Sequence, residues 1–293
     1  MNTVEYRQRL ETSGLKVLLG SAETLWVSHE RFSMLRLPAC ALGPPTTEEI
    51  RTVFRCSNSA VLSYTVLPSG ERPANAVLYL CRDSEYNLDK LGKNARYDVR
   101  RGLKEFDIRF IEQHEVLELG KQAYTDTLGR AGLSAAHREK FEAAFGRSHP
   151  GKCYLGAIRE GRLAAFLQLV AVNDWVSLGG YSANEFLSLC PNNALVFFAA
   201  RYYLSEKNLR VIDYGLSSVQ AVSNARGLDH FKQKMGFEAV PVHRAFIVNP
   251  LLRPFVNRFS SALVNSMLKL SPQHTLLKKA EGALRMVLEG QKV

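Results

Sequence analysis

The sequence predicts a mixed α/β protein (α+β), in which a sheet of mixed strand direction is flanked by helices. Two patterns carry this prediction. Three apolar segments separated by tight turns follow one another over residues 152–181, which is typical of an antiparallel meander. The chain then alternates helix, strand, helix and strand up to residue 248, and helices interleaved with strands cover the faces of a sheet.

The first part of the chain predicts short strands around one helix. Alternating aromatic and β-branched residues indicate strands within 16–39. A helix at 50–56 has threonines available as its N-cap and two glutamates in its first turn. Two further strand patterns, 60–67 and 74–81, flank a loop that contains proline and glycine, so we expect them to form a long hairpin.

The clearest helix of this half spans 87–106. Its apolar residues recur at helical spacing and define one face: Leu88, Leu91, Ala95, Val99 and Leu103. Its cations fall on the opposite face, with Arg101 close by: Lys93, Arg96, Arg100 and Lys104. Such a face either binds an anionic substrate or is a solvated surface. Arg96 and Arg100 are the first candidates because the planar guanidinium suits phosphate better than an ammonium group does.

The second half contains the predicted meander and the elements around it. The expected elements are a strand at 107–111, helices at 115–131 and 134–147, strands at 154–158, 163–172 and 175–181, a helix at 191–206, a strand at 209–214, a helix at 227–236 and a strand at 237–248.

The charge balance favours anionic partners. The chain has 38 Lys and Arg residues against 28 Asp and Glu residues, a net charge of +10 and a pI near 9.4. Such a field attracts nucleic acid, nucleotide cofactors, acidic carrier proteins and anionic membranes. The alternative is that the charge serves solubility alone.

Cysteine usage and the N-terminus indicate a cytoplasmic protein. The five cysteines are widely spaced and form no C-x-x-C pair, so they predict neither a zinc site nor a redox motif. The first ten residues are polar and charged, unlike a secretory signal. No apolar run reaches the roughly 18 residues that span a bilayer.

One motif points to a family. A strand that closes in Asp213-Tyr214-Gly215 is followed by a loop and by the segment 227–237, which reads G-L-x-x-F-K-x-x-x-G-F. This combination resembles the C-terminal half of Fem-type (peptidoglycan-bridge aminoacyltransferase-like) proteins of the GNAT acyltransferase superfamily. The resemblance implies two GNAT-like lobes, the first of them reduced. We therefore predict an N-terminal lobe at 1–112, a catalytic lobe at 113–249 and a C-terminal helical extension at 250–293.

The resemblance also implies catalytic residues. The lysine of the F-K pair corresponds to Lys232, with Phe231 as its packing neighbour, and would offset negative charge on a tetrahedral intermediate. Asp213 at its strand end is a candidate for orienting the amine or pairing with Lys232. His230 is a candidate general base because an imidazole titrates near neutral pH. Each of these three residues also has a purely structural interpretation: Lys232 as a solvated lysine, Asp213 as a turn aspartate and His230 as a surface histidine.

Four further residues are candidates for binding. Tyr181 at the end of the meander and Tyr214 beside Asp213 are candidate substrate contacts, although a core tyrosine is the alternative. Asn192 and Asn193 lie where a classical GNAT protein places its pyrophosphate loop, at a helix N-terminus. The expected glycines are missing from 185–193, which counts against ordinary acetyl-CoA binding and leaves the donor open.

The function that follows is amide formation. The resemblance implies an N-acyltransferase that moves an acyl or aminoacyl group from aminoacyl-tRNA, acyl-CoA or acyl carrier protein onto an amine-bearing acceptor, with no tightly bound cofactor and no metal. The alternative is a non-catalytic GNAT-like protein that binds RNA or a membrane surface.

The C-terminal extension has two interpretations of its own. An apolar stripe at helical spacing runs from Leu252 to Met267, and a second helix is expected at 274–288. Basic residues flank both helices. They either pack on the body of the protein or make peripheral contact with a membrane or a partner.

Overall fold

The computed structural model of the protein describes residues 1–29, 32–132, 140–146, 151–216 and 225–271, with residues 274, 277, 278, 281, 284 and 288. The α-helices of these residues are α1 (Thr3–Thr12), α2 (Thr47–Ser57), α3 (Lys93–Glu105), α4 (Gln113–Leu119), α5 (Lys121–Arg130), α6 (Phe141–Phe145), α7 (Pro191–Ala200), α8 (Ala225–Lys234) and α9 (Arg258–Leu270). The strands are β1 (Val17–Leu19), β2 (Leu25–His29), β3 (Ser33–Leu37), β4 (Val61–Val66), β5 (Ala76–Cys81), β6 (Asp107–Ile111), β7 (Lys152–Arg159), β8 (Arg162–Val172), β9 (Trp175–Ser182), β10 (Val211–Leu216) and β11 (Glu238–Val248).

The chain forms two compact units that are not continuous in sequence. The first takes its described residues from 1–13, 78–217 and 222–240, and the second mainly from 14–77 and 241–293. The predicted boundary at residue 112 falls inside the first unit, between two paired strands. The first unit instead gains β5 from the N-terminal part of the chain, because β5 pairs with β10.

The sheet of the first unit has the strand order β5-β10-β9-β8-β7-β6. Strands β6 to β9 form the predicted antiparallel meander, and β10 joins β9 in parallel. Phe166 of β8 is fully buried in an aromatic cluster on one face of this sheet. The prediction of a mixed sheet flanked by helices is confirmed.

Helix α7 packs between the sheet and α3. Eight of its residues are buried, and it continues into a π-helix at Arg201–Glu206. Gly102 of α3 allows the close approach, since a Cβ at this position would lie 2.5 Å from the main-chain oxygen of Cys190. Any larger residue at 102 would push α3 away from the start of α7.

The sheet of the second unit has the strand order β1-β2-β3-β4-β11. Helix α2 belongs to this unit, and its start follows the predicted capping chemistry: Thr46 accepts a hydrogen bond of 3.1 Å from the N–H of Glu49. The helix ends at Asn58, which adopts the left-handed conformation with φ of 55°. The Trp26 side chain is fully buried in the core beneath it.

Two of the predicted elements are wrong in detail. Strands β4 and β5 do not form a hairpin: β4 pairs with β3 and β11, whereas β5 pairs with β10. The helix predicted at 87–106 is shorter, because residues 88–90 form a separate 3-10 turn before α3. Leu103, predicted on the apolar face, is 38% exposed, and the buried position beside it is Gly102.

The C-terminal extension begins with a 3-10 helix at Pro250–Phe255 and continues as α9. The second predicted helix, 274–288, lies mostly outside the described residues, as does half of the helix predicted at 134–147. Over the part of the chain that the structure describes, no helix is long and apolar enough to cross a membrane.

Candidate active site

Strands β9 and β10 separate in the middle of the first unit's sheet. They pair over three residues, ending with Asp213 opposite Ser177. Strand β9 then continues to Ser182 and β10 to Leu216, with no further pairing between the two among the described residues. Main-chain groups that are unpaired within a sheet need another partner. The gap can therefore receive an extended, amide-bearing ligand.

Two glycines border open space at this gap. A Cβ added at Gly179 of β9 or at Gly215 of β10 would meet no atom within 4 Å. Gly215 also has φ of +78°, a conformation that glycine adopts without strain. Its N–H donates a hydrogen bond of 2.7 Å to Oδ1 of Asp213, so the turn in the backbone also orients that carboxylate.

Helix α8 carries Lys232, and the local sequence fixes where the helix ends. Gly236 adopts the left-handed conformation with φ of +84°. The N–H of Phe237 then donates to the carbonyl of Lys232 at 3.1 Å, and the N–H of Gly236 donates to that of Gln233 at 3.0 Å. This is a Schellman motif. It turns Phe237 inward, where its ring lies 5.2 Å from that of Tyr214.

Lys232 is buried beneath two tyrosine rings. Lys232 is only 4% exposed. Its Nζ lies 4.5 Å from the ring centroid of Tyr79 and 5.1 Å from that of Tyr214. Both distances suit a cation–π contact. Burial lowers the lysine pKa to about 8, against the opposing effect of the charges on Asp229 and Asp213. The ammonium form therefore dominates at neutral pH but can lose its proton within the physiological range.

Asp213 is the second buried ionisable group. It is 3% exposed, and burial raises its pKa to about 6, although the hydrogen bond from Gly215 and the charge of Lys232 act in the opposite direction. A carboxylate with a pKa near 6 is ionised at neutral pH and still basic enough to accept a proton. Two titratable groups whose environments move their pKa values toward neutrality are typical of functional sites.

Two residues of this site were not predicted from the sequence. Tyr79 is hydrogen-bonded to Asp229, and burial together with that carboxylate raises the tyrosine pKa to about 12. Asp229 precedes Lys232 by three positions in the same motif, which is one helical turn, so its proximity had a sequence signal. Tyr79 had none, because it joins the site only through the pairing of β5 with β10.

The other predicted residues of α8 and β10 differ in whether they face the site or the solvent. Tyr214 is 9% exposed and lies in the site, and burial raises its pKa. Phe231 is half-buried, with its ring 6.4 Å from that of Tyr214. His230 is exposed to solvent, because adjacent helical residues point about 100° apart.

Tyr181, Asn192 and Asn193 are engaged elsewhere in the first unit. The Tyr181 ring stacks on Phe166 at 4.9 Å, and burial raises its pKa to about 12. Asn192 donates a hydrogen bond of 3.0 Å to Oγ of Ser182. Asn193 is 7% exposed and its amide nitrogen lies 3.4 Å from the sulfur of Met235. The side chains of Asn192 and Asn193 thus hold the start of α7 to its neighbours.

Helix α3 presents the predicted cationic face. Lys93, Arg100, Arg101 and Lys104 are exposed and Arg96 is half-buried. None of the five makes an ion pair within the described residues, whereas Asp98 of the same helix pairs with Lys234 of α8. Elsewhere in the described structure, no group of His, Cys, Asp and Glu side chains is arranged to hold a metal ion.

Comparison with known proteins identifies the class of fold. No protein-family profile and no curated protein matches the chain. Among solved structures, the C-terminal domain (DUF2156) of a putative lysylphosphatidylglycerol synthetase from Agrobacterium fabrum is similar, with a TM-score of 0.53 and 14% identity over 83% of this chain and 91% of that one. FemX is also similar, with a TM-score of 0.53 and 10% identity over 85% of this chain and 92% of that one.

A third similar structure is a conserved protein of unknown function from Bacteroides thetaiotaomicron VPI-5482, with a TM-score of 0.54 and 11% identity over 83% of this chain and 89% of that one. At such low identity these likenesses establish the fold alone. The fold that the resemblance to Fem-type proteins predicted is confirmed, since the chain shares it with FemX.

Proposed function

We propose that this protein is an acyltransferase that forms an amide bond, moving an acyl or aminoacyl group from an activated donor to an amine. The observation that carries the proposal is the buried Lys232 ammonium group, whose charge acts on the equally buried Asp213 at the point where β9 and β10 separate. FemX and a putative lysylphosphatidylglycerol synthetase share the fold, and the latter's name denotes a product that bears a lysyl group.

In the proposed reaction, the acceptor amine attacks the carbonyl carbon of the donor. A carbon–nitrogen bond forms, the bond from that carbon to the donor oxygen or sulfur breaks, and the leaving group departs with the electron pair. Lys232 stabilises the negative charge that develops on the carbonyl oxygen. Asp213 takes the proton that the amine must lose. The rings of Tyr79 and Tyr214 hold the lysine side chain in place.

The donor would be an aminoacyl-tRNA or an acyl thioester, and it would bind as a co-substrate. Both donors are anionic, and the exposed cations of α3 would hold their phosphates. The same cations also support the second candidate function, a non-catalytic protein that binds RNA. The two functions differ in whether a change at Lys232 affects turnover.

Donor binding tests the proposed function. Acyl-CoA species, acyl carrier protein and a charged tRNA pool would be compared by thermal shift and by filter retention at two salt concentrations, followed by mass spectrometry of an amine panel for a new amide. Saturable stabilisation by an acyl thioester identifies that donor. Tighter retention of charged than of uncharged tRNA identifies aminoacyl transfer. Failure of every donor to bind and of every amine to be acylated contradicts the proposal.

The pH dependence of kcat/KM is expected to be bell-shaped. Activity rises as Asp213 ionises near pH 6 and falls as Lys232 loses its proton near pH 8. Initial rates with one donor and acceptor pair, followed from about pH 5 to about pH 9.5, measure both limbs. In Lys232→Arg the alkaline limb should disappear because a guanidinium stays charged. A flat profile for the unmodified protein excludes these two groups from the reaction.

Removal of cations from α3 is expected to weaken the binding of a nucleic-acid donor. Arg96→Gln with Arg100→Gln should lower the slope of log affinity against log salt by about 1.5, since each phosphate contact contributes roughly 0.7–0.9. The matched control is Arg51→Gln with Arg55→Gln, which removes two exposed arginines of α2. An equal loss in the control would show that only the net charge matters. Retention assays at several salt concentrations give both slopes.

A further inference from the structure

Helix α9 exposes an apolar face that the described fold does not use. The helix contains no buried residue. Its large apolar side chains are 79% exposed at Phe259, 54% at Leu263, 45% at Met267 and 88% at Leu270. At about 100° per residue these four fall within roughly 80° of arc. A contiguous exposed apolar stripe of this kind marks an interaction surface.

The preceding 3-10 helix also exposes large apolar side chains. Leu251 is 83% exposed and Leu252 is 39% exposed. A polar side of α9 flanks the stripe: Asn265, Arg258 and Lys269 fall within about 40° of arc, and Lys269 lies about 80° from Phe259 around the helix. The surface therefore has an apolar side and a cationic side along the same axis.

The charge of this region has a single sign. No Asp or Glu occurs between Glu238 and Glu281, whereas Arg244, Arg253, Arg258, Lys269, Lys278 and Lys279 all fall in that interval. The chain as a whole carries 28 acidic residues, so their absence here separates this segment from the rest of the surface. Cations at the edge of an apolar helical face complement the anionic headgroups of a lipid bilayer.

The same pattern argues against a second copy of the chain as the occupant. A two-fold interface through the stripe would place the same surface on both copies. It would bring Arg258 and Lys269 of each copy toward those of the other, with no carboxylate in α9 to pair with them. Nucleic acid would pair with the cations but would leave the apolar side chains in water.

We infer that α9 and the preceding turn form a peripheral membrane-binding surface that lies in the interface of a bilayer containing anionic phospholipid. Phe259, Leu263, Met267 and Leu270 enter the boundary between headgroups and acyl chains. Arg258 and Lys269 contact the phosphates, with their aliphatic stems along the same boundary. This attachment uses none of the residues assigned to the transfer reaction, so membrane binding can be tested independently of the proposed function.

Vesicle binding by the full chain tests the inference. The protein would be sedimented with vesicles of phosphatidylcholine, or of phosphatidylcholine and phosphatidylglycerol in equal parts. We expect binding to the mixed vesicles and little to phosphatidylcholine alone. Phe259→Ser with Leu263→Ser should reduce partitioning by about a hundredfold, roughly tenfold for each side chain. Arg258→Gln and Lys269→Gln should each reduce it by about fivefold.

Matched controls separate the surface from general effects of polarity and charge. Leu67→Ser removes a side chain that is 59% exposed elsewhere in the second unit, and Arg55→Gln removes an exposed cation of α2. Neither should change partitioning. Thermal unfolding of the α9 variants should match that of the unmodified protein, since α9 has no buried residue. Equal binding by all variants overturns the inference, as does self-association in sedimentation that only the α9 variants abolish.

A fluorescent variant reports the depth of insertion directly. The two native tryptophans, Trp26 and Trp175, are 0% and 7% exposed, so vesicles should leave their emission unchanged. In Phe259→Trp the added indole should shift to the blue on mixed vesicles and become accessible to quenchers carried on the acyl chains. An unshifted spectrum on vesicles that retain the protein would place the contact elsewhere on the molecule.

Discussion

Replacing Lys232 with methionine is expected to lower kcat by about 10²–10³, which is the usual cost of removing one group that stabilises an oxyanion. The effect follows from the burial of the ammonium group, because a charge that is shielded from water acts more strongly on a nearby carbonyl oxygen. Methionine fills a similar volume between Tyr79 and Tyr214, so the fold is retained. Steady-state rates with the donor identified by binding measure the loss.

The design of this experiment depends on its controls. Lys234→Met changes a half-buried lysine two positions further along α8, one that pairs with Asp98 of α3 and not with a residue of the site, and should leave kcat within about twofold. Lys232→Arg keeps the charge but changes its shape, so partial activity is expected. Full activity in Lys232→Met, with donor binding intact, would support the non-catalytic alternative instead.

Replacing Asp213 with asparagine is expected to move activity and stability in opposite directions. The rate should fall by about 10² or more, because the proton acceptor is lost. The free energy of unfolding should rise by roughly 1–3 kcal/mol at pH 8, since the native state no longer holds a buried carboxylate that burial disfavours. Asparagine retains an oxygen that can accept from the N–H of Gly215.

The sign of the stability change can be followed with pH. The pKa of Asp213 is raised from 3.8 in the unfolded chain to about 6 in the folded protein. The unmodified protein therefore loses stability as the pH rises from about 4 through 6, whereas the asparagine variant does not. Denaturant unfolding at pH 4 and pH 8 measures the difference. An identical gain at both pH values would mean that packing, and not the ionisation of Asp213, is responsible.

Local patterns were sufficient to predict most elements of the first unit's sheet. Strands β7, β8 and β9 were evident from alternation and from the turns between them, because such contacts join neighbours in sequence. The hairpin prediction for β4 and β5 was wrong for the opposite reason. Strand β4 pairs with β3 and with β11, and β5 pairs with β10; β11 and β10 lie more than a hundred residues away in the sequence, and no turn signal reports such pairing.

The candidate site also combines features that the sequence predicted with features that it did not. The motif around Lys232 is local: Gly236 ends α8, Phe237 follows it inward, and Asp229 lies one turn before the lysine. The sequence did not show which neighbouring side chain faces inward. Lys232 is buried whereas His230 is exposed, because the packing of α8 on the sheet selects one side of the helix.

The sequence by itself therefore determined the order of the elements, the class of fold and the lysine motif, because periodicity, capping and turn chemistry act between residues close in the chain. Only the tertiary structure decided that Tyr79 joins Tyr214 over the ammonium group of Lys232, and that Asp213 is buried close enough for the two charges to interact. Burial and charge proximity arise from long-range strand pairing, and they are what move the two pKa values toward neutrality.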